Sequence, residues 1–175
     1  AAAEVPDVQR LDVGIILFDP GTSADSVADE KKLIFPEVRQ AEARYMPYQL
    51  KTTLESSGYW GSVWVVPQRS DAVDLTITGR IDLSNGLDVS VHIGAWDATG
   101  RQWLNKAYTV QVPEKAYSKY REAGQDPYQT LYNEIANDLL AIRQKMSASQ
   151  LSTLRNVAEL RYGAELVPEA FAGLL

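Results

Sequence analysis

Apolar and polar residues alternate between Asp74 and Val110 in a way that predicts three consecutive strands. A period of two is typical of a strand with one buried face. Two short segments rich in turn-forming residues interrupt the pattern, Ser84-Asn85-Gly86 and Asp97-Ala98-Thr99-Gly100. The stretch therefore predicts a three-stranded antiparallel meander. Its apolar row is Leu75, Ile77, Ile81, Leu83, Leu87, Val89, Val91, Ile93 and Ala95.

The register of the first hairpin follows from keeping this row on one face. A two-residue Asn-Gly loop would place Leu83 opposite Asp88, so an apolar row would face a polar one. We therefore expect a three-residue turn in which Gly86 has a positive φ. The resulting pairs are Leu83 with Leu87, Ile81 with Val89, and Ile77 with Ile93.

A four-residue turn over residues 97 to 100 sets the expected register of the second hairpin. It places Lys106 on the apolar face opposite Val91. An inward-pointing lysine is a known way of protecting an edge strand from further pairing, so we expect this third strand to lie at the sheet edge. The expected pairs are Ile93 with Leu104, Val89 with Tyr108, and Leu87 with Val110.

Segments outside the meander contain further signals of strands and helices. The continuous apolar run Val13 to Phe18 predicts a strand that is buried on both faces and lies centrally. A helix is expected from Pro36 to a stop at Gly58, with Pro47 kinking it or starting a second helix. Residues 62 to 66 predict another strand. Two carboxyl-terminal helices follow, residues 127 to 146 with Asp126 as N-cap, and a helix opened by a Ser147–Gln150 capping box, before Pro168 restarts a short last turn through Phe171.

Strand, helix and strand in this order predict a right-handed parallel crossover. Together with the meander, they predict an α/β two-layer sandwich with a five-stranded mixed sheet covered by helices. We expect one domain over residues 1–175, with an extended lead-in at 1–11, the sheet and first helix at 12–110, and helices at 127–175. The start without Met and the apolar end suggest part of a longer protein, from which a signal segment and lipid anchor could have been removed.

Three features of the meander resemble the α/β sandwich domains of bacterial envelope proteins. They are the step Thr78-Gly79-Arg80, the turn Asp97-Ala98-Thr99-Gly100 and the following Trp103. Examples are the amino-terminal domain of the Tol-system propeller protein and the curli secretion-channel lipoprotein. The resemblance covers roughly residues 12 to 145. It implies a periplasmic or outer-membrane-anchored, non-catalytic role in assembly, with other envelope proteins as partners.

Composition limits the function classes further. The formal net charge is -6 and the chain has no cysteine, so thiolate metal sites and cysteine nucleophiles are excluded. An acidic chain argues against nucleic-acid or anionic-membrane binding, which requires clustered Lys and Arg. No apolar run approaches the ~18 residues of a membrane span.

The sequence contains no recognisable catalytic, metal-binding or cofactor-binding motif. We therefore expect that the protein is not an enzyme and binds no cofactor. The single histidine, His92, shares a strand face with Ser90 and Asp88, but side chains standing side by side on a flat strand do not form a triad. Asp82 and Asp88 are paired carboxylates of the kind used in glycoside hydrolysis, but at a hairpin tip they are more simply interpreted as exposed charges. Asp25, Asp29 and Glu30, in a polar loop over residues 22 to 32, lack an ordered spacing for a cation.

Two groups of residues are candidate contact sites. On the polar face of the meander, Trp96 and Trp103 should fall near each other, with His92 and Arg101 beside them. Either the lead-in with Val5, Pro6 and Leu11 packs over the two indoles, or they form a contact patch. The second group lies in the connector of residues 112 to 126, where a basic and aromatic cluster either binds a phosphate, a carbohydrate or a partner protein or packs its Tyr rings and Lys stems on the neighbouring surface. Its members are Lys115, Tyr117, Lys119, Tyr120 and Arg121.

The leading interpretation is a non-enzymatic envelope domain that acts in assembly or protein contact. The alternative is a small-ligand module that holds a sugar or peptide between Trp96, Trp103 and Arg101. A hydrolase without a recognisable motif is the third hypothesis. The sequence gives no indication of the oligomeric state.

Overall fold

Five strands form one mixed sheet in the order β2-β1-β3-β4-β5 in the computed structural model, which describes residue 6, residues 9–22 and residues 34–168, without the side chains of Tyr117 and Arg121. The predicted α/β fold with a five-stranded mixed sheet and carboxyl-terminal helices is confirmed. The strands are β1 (Val13–Ile16), β2 (Val63–Val66), β3 (Leu75–Ser84), β4 (Asp88–Asp97) and β5 (Gln102–Gln111). The helices are α1 (Pro36–Ser57), α2 (Glu114–Glu122), α3 (Gln129–Gln144) and α4 (Ala148–Leu166).

Strand β1 lies between β2 and β3 and pairs in parallel with both. Its central position explains its continuous apolar run, because neighbouring strands flank it on both sides. Strand β5 pairs only with β4 among the described strands, so the predicted edge position of the third meander strand is confirmed. The sheet is open, with β2 and β5 as its edges.

The hydrophobic core lies on one face of this sheet, under α1 and α3. Most of the alternate strand side chains that point to this face are buried, while α1 contributes Ala43, Met46, Leu50 and Leu54. Leu131, Ile135 and Leu139 of α3 are buried as the sequence predicted. The fully buried strand residues are Val13, Ile15, Leu75, Ile77, Ile81, Val89, Val91, Ile93 and Ala95.

The predicted register of the first hairpin is wrong. Ile77 pairs with Ala95 and Ile81 pairs with Val91, two residues away from the expected partners. A bulge at Asp82 then inserts an extra residue in β3, so that Leu83 pairs with Ser90 rather than Leu87. The inserted residue reverses the alternation of faces, and Leu83 and Leu87 are both exposed at the hairpin tip. The positive φ of Gly86 is confirmed at 92°.

The second hairpin also differs from the prediction by two residues. Lys106 pairs with Ile93, not Val91, and its ammonium reaches over the edge to Asp138 of α3 at 2.9 Å. A second register shift lies between Ala95 and Trp96, where Leu104 pairs with Ala95 but Gln102 pairs with Trp96. Trp103 is the extra residue at this bulge.

The helices agree with their sequence signals more closely. Helix α1 begins at Pro36, contains Pro47 within one continuous helix and ends at Gly58, which has a φ of 75°. The Ser147–Gln150 capping box opens α4 as expected. Two expectations are corrected: the connector of residues 112 to 126 contains helix α2, and α3 covers Gln129–Gln144 rather than residues 127 to 146, with Tyr128 and not Asp126 as its N-cap. Asp126 Oδ1 accepts a hydrogen bond from the Tyr128 amide at 2.7 Å.

Helix α4 packs across the end of the sheet where β4 ends and β5 begins. Its Leu151 and Leu154 enter the core, and Arg161 Nε donates to the Ala98 carbonyl at 2.7 Å. Arg155 Nη1 donates to the Arg10 carbonyl at 3.0 Å. The described part of the lead-in is therefore held against the carboxyl-terminal helix, and Leu11 is buried in the core. The predictions for residues 1–5, 23–33 and 171 lie outside the described residues.

Buried polar side chains tie loops to this framework. Arg39 of α1 is buried and donates from Nη1 to the carbonyls of Pro20 and Ile81, at 3.1 and 3.2 Å. Asp74, just before β3, accepts a hydrogen bond from the Asp12 amide at 2.7 Å, and Arg155 lies 4.0 Å away. Burial raises the pKa of Asp74 above its usual value, because desolvation disfavours the charged form.

Truncation of Ile135 to Ala should lower the free energy of unfolding by about 2 to 5 kcal/mol, because the side chain is fully buried beneath the sheet. Urea denaturation followed by circular dichroism measures the change. The matched control is Asn137→Ala on the exposed side of the same helix, where a loss below about 0.5 kcal/mol is expected. Equal losses for the two variants would contradict the assigned core face.

Asp74→Asn should change how stability depends on pH. The folded protein holds a proton on Asp74 more tightly than the unfolded chain, so wild-type stability falls as pH rises through the raised pKa. Asparagine keeps an acceptor for the Asp12 amide and does not titrate. The stability of the variant relative to wild type should therefore increase from about pH 4 upward. Urea titrations at several pH values test this, and a pH-independent difference would contradict it.

Candidate functional site

The face of the sheet opposite the core carries the most prominent exposed aromatic residues of the strands. We call it the open face and define it by Trp64, Thr76, Thr78, His92, Trp96, Asn105 and Thr109. The pairing places these residues on one side of neighbouring strands, alternating with the buried core row. Unlike the core row, none of them is fully buried.

Trp64 and Trp96 lie in the same cross-strand row. Trp64 of β2 pairs with Gly14, Gly14 pairs with Thr76, and Thr76 pairs with Trp96. Three inter-strand spacings separate the two tryptophans, which places their Cα atoms about 14 Å apart. Their exposed fractions are 44% and 38%. The open face therefore has one accessible indole at each end of the row, with small side chains between them.

The floor is small because larger side chains do not fit. A Cβ atom on Gly94 would lie 2.6 Å from the Trp96 ring, which leans back along its own strand. A Cβ atom on Gly14 would meet the Val73 side chain at 3.2 Å. The two glycines thus let the Trp96 ring and the Val73 side chain approach the sheet backbone closely.

Polar side chains surround this aromatic row. His92 Nε2 is hydrogen-bonded to Asn105 Oδ1 across β4 and β5, and Thr109 Oγ1 donates to Ser90 Oγ at 3.1 Å. An apolar centre with a polar surround is typical of protein contact surfaces. These four polar side chains are paired with each other across β4 and β5.

The structure separates the residues of the first predicted patch. Trp103 is only 7% exposed and lies in the core beside Trp60, with ring centroids 6.4 Å apart. Its Nε1 donates to Asp97 Oδ2 at 2.8 Å. The expected pairing of Trp96 with Trp103 on one polar face is therefore wrong, because the bulge at Trp103 changes the direction of its side chain. Trp103 is covered by the chain, and Trp96 is not.

Arg101 also lies away from the open face centre. It is exposed in the turn before β5 and lines a small cleft with Asp97, Thr99 and residues of α4. Of the four predicted residues, only His92 and Trp96 share the open face. The structure thus leaves a smaller patch than expected, but it adds Trp64 at the other end of the row.

The second predicted patch lies on α2. Lys115, Lys119 and Tyr120 are exposed, and the side chains of Tyr117 and Arg121 lie outside the described part of the structure. A basic and aromatic helix therefore replaces the expected loop. The described contacts do not bring its lysines to the open face.

Sequence reasoning missed Trp64. The segment Val63-Trp64-Val65 alternates buried, exposed and half-buried residues, so the period-two pattern was present. The strand has only four residues, and a run this short does not reveal which of its residues face the core.

Among residues 6, 9–22 and 34–168 there is no group of three or more His, Cys, Asp or Glu side chains arranged to hold a metal ion. The helices in this part of the chain also include none with the length and apolar character needed to cross a membrane.

The sequence matches no protein-family model and no curated protein. Five chains of solved structures match the fold, and one belongs to a dodecamer of a PelC variant from Paraburkholderia phytofirmans. That structure is 11% identical in sequence with a TM-score of 0.46, over 75% of this chain and 87% of PelC. The predicted likeness to Tol-system and curli domains is not shown by these comparisons and stays a prediction.

The two tryptophans that were predicted to act together should differ in their effect on stability. Trp103→Ala should cost about 3 to 5 kcal/mol, because it empties a buried site and leaves Asp97 Oδ2 without its donor. Trp96→Ala should cost less than about 2 kcal/mol, since much of the ring is already in water. Urea denaturation of both variants measures the difference. A larger loss for Trp96→Ala would mean that the open face is covered.

Proposed function

We propose that this chain is a non-enzymatic contact domain of a bacterial envelope protein and that its open face binds a protein partner. The observation that carries the proposal is the pair of exposed indoles, Trp64 and Trp96, in one cross-strand row of the open face. Large rings left in water on a small domain commonly mark an interaction site. The assembly role and the envelope location follow the resemblance of residues 12 to 145 to envelope domains.

The chemistry of the row suits protein contact. Tryptophan is enriched among the residues that carry most of the binding energy at interfaces, where a polar surround excludes water. Trp96 is already held against Gly94, so little side-chain entropy would be lost when a partner covers it. The polar pairs His92–Asn105 and Thr109–Ser90 form the surround.

Strand addition at an open sheet edge is an alternative mode of contact. Edge strand β5 is ten residues long, and a long edge can pair with an added strand. Lys106 points from this edge toward Asp138, and its charge partly protects the β5 edge from further strand pairing. We therefore assign binding to the face rather than to strand addition.

Ligand binding by Trp96, Trp103 and Arg101 as a group is not supported by the geometry, because Trp103 is buried and Arg101 lies against α4. A carbohydrate or peptide held by Trp64 and Trp96 would be the corresponding alternative. The spacing of about 14 Å between the Cα atoms of the two tryptophans suits an extended saccharide or peptide as well as a folded protein partner.

Site-specific photo-crosslinking in the intact native bacterium tests the proposal. The photoreactive residue p-benzoylphenylalanine at Trp96 or Thr109 should yield discrete crosslinked species whose second component is an envelope protein. The control position is Gln144, which is exposed on α3 and should yield no such product.

The double variant Trp64→Ala, Trp96→Ala, combined with the crosslinker at Thr109, should lose most of the product while keeping its helical circular dichroism. Equal crosslinking at Gln144, a cytosolic partner, or full product from the double variant would each contradict the proposal. A crosslinked product that contains saccharide instead of protein would favour the alternative.

A further inference from the structure

The open face has almost no charge, although the chain as a whole is strongly acidic. None of the residues that define the face is Lys, Arg, Asp or Glu, whereas 23% of the chain is charged and the formal net charge is -6. Arg80 lies opposite His92 in the sheet, and its guanidinium is engaged by Asp82 at 2.8 Å. A second molecule that covers the open face therefore meets no unpaired carboxylate or ammonium group from its defining residues.

The apolar part of the open face extends beyond its two indoles. Ile16 of β1 pairs with Val66 of β2, and both lie one row further along the strands than Trp64, on the same side of the sheet. Both are half-buried. Within the tryptophan row, the Val73 side chain lies over Gly14. The end of the face that carries the indoles is thus an apolar strip.

The face is large enough for a specific contact with one other molecule. Strands β3, β4 and β5 have ten residues each, and β1 and β2 have four each. With strands about 4.8 Å apart and a rise of about 3.3 Å per residue, the sheet face covers roughly 600 Å². Two such faces in contact bury on the order of 1,200 Å², which is the lower end of the range for stable, specific interfaces.

We propose that the partner of the open face is a second copy of this chain, so that two sheets pack face to face about a twofold axis. This inference rests on the proposed function, because it names the partner of that same face. In a twofold contact the same patch lies on both sides, so a charged group near the axis would meet its own like charge. Two chains of net charge -6 repel each other least where the contact surface is uncharged.

The position of the apolar strip fixes the direction of the axis. Sheets that pack face to face lie about 10 Å apart with their strands within about 30° of each other, so the axis lies between the sheets, either along the strands or across them. An axis across the strands would place the tryptophan row against the polar end of the partner's face. An axis along the strands places the row against the same row of the second copy, which buries the indoles of both copies.

Sedimentation velocity of the purified 175-residue chain measures its self-association from about 1 µM to about 500 µM. A monomer–dimer equilibrium is expected, with a dissociation constant on the order of 10 µM, because the contact area is at the lower end of stable interfaces. Trp64→Ala and Trp96→Ala should each weaken the dimer about ten-fold or more. Circular dichroism confirms that each variant is folded.

The salt dependence reports on the charge of the contact. Raising the NaCl concentration from about 0.05 M to about 0.5 M should strengthen the dimer, because salt screens the repulsion between two acidic chains. A contact held by ion pairs would weaken over the same range, and that result would contradict an uncharged interface.

Two variants with the same change in net charge test whether the open face is the contact surface. Asn105 lies on the open face and Gln144 lies on α3, and both side chains are exposed. Asn105→Glu keeps an acceptor for His92 and should weaken the dimer about ten-fold or more, because it places a charge inside the contact. Gln144→Glu is the matched control and should change the dissociation constant by less than about two-fold.

A single introduced cysteine locates the contact directly, because the chain has none of its own. Thr76 lies between Gly14 and Trp96 in the tryptophan row. Thr76→Cys should therefore form a covalent dimer with the short crosslinker bismaleimidoethane. Gln144→Cys, on the other side of the molecule, should not.

A chain that stays monomeric up to about 500 µM, a dimer that Asn105→Glu leaves intact, or equal crosslinking of Thr76→Cys and Gln144→Cys would each overturn the inference. If the chain is monomeric and the photoreactive residue at Trp96 captures a different envelope protein in the bacterium, the proposed function stands and the second copy is the wrong partner. Failure of the proposed function is a separate result, the absence of any discrete product at Trp96 and Thr109 in the bacterium.

Discussion

The sheet buries one face only, and the rest of the structure depends on this asymmetry. Helices α1 and α3 provide apolar cover for a single side, so each strand must send every second side chain toward them. The other side then meets water and is free to carry polar pairs and exposed indoles. This is the physical origin of the open face: a five-stranded open sheet with helices on one side has a large second surface that the fold itself does not use.

Two bulges, each near a turn of the meander, change which side chains face the core. The bulge at Asp82 turns Leu83 outward, and the one at Trp103 allows that ring to join Trp60 in the core. A single inserted residue changes which face the following side chain occupies. The bulge at Trp103 therefore decides that one tryptophan contributes to stability while Trp96, seven residues earlier, remains available for contact.

Buried polar groups have different surroundings in two parts of the molecule. At the end of the sheet, Asp97 accepts from the Thr99 amide and from the Trp103 indole, so both of its oxygens are used. Beside α1, burial and then the charge and hydrogen bond of the Asp126 carboxylate raise the pKa of the Tyr132 phenol. The first arrangement fixes a turn and stabilises the fold. The second keeps the Tyr132 phenol neutral beside a carboxylate.

The sequence by itself determined the elements, because their signals are local: the period of two in β3 to β5, Pro36 and Gly58 at the ends of α1, and the capping box of Ser147. It also determined which residues of the regular strands face the core. It did not determine the register, because a shift of two residues keeps every side chain on the same face, so the pattern is equally satisfied by either pairing. Only the tertiary structure decided the bulges, and with them the separate positions of Trp96 and Trp103. It alone also brought Trp64 into the row with Trp96, since that row joins segments that are far apart along the chain and no local pattern connects them.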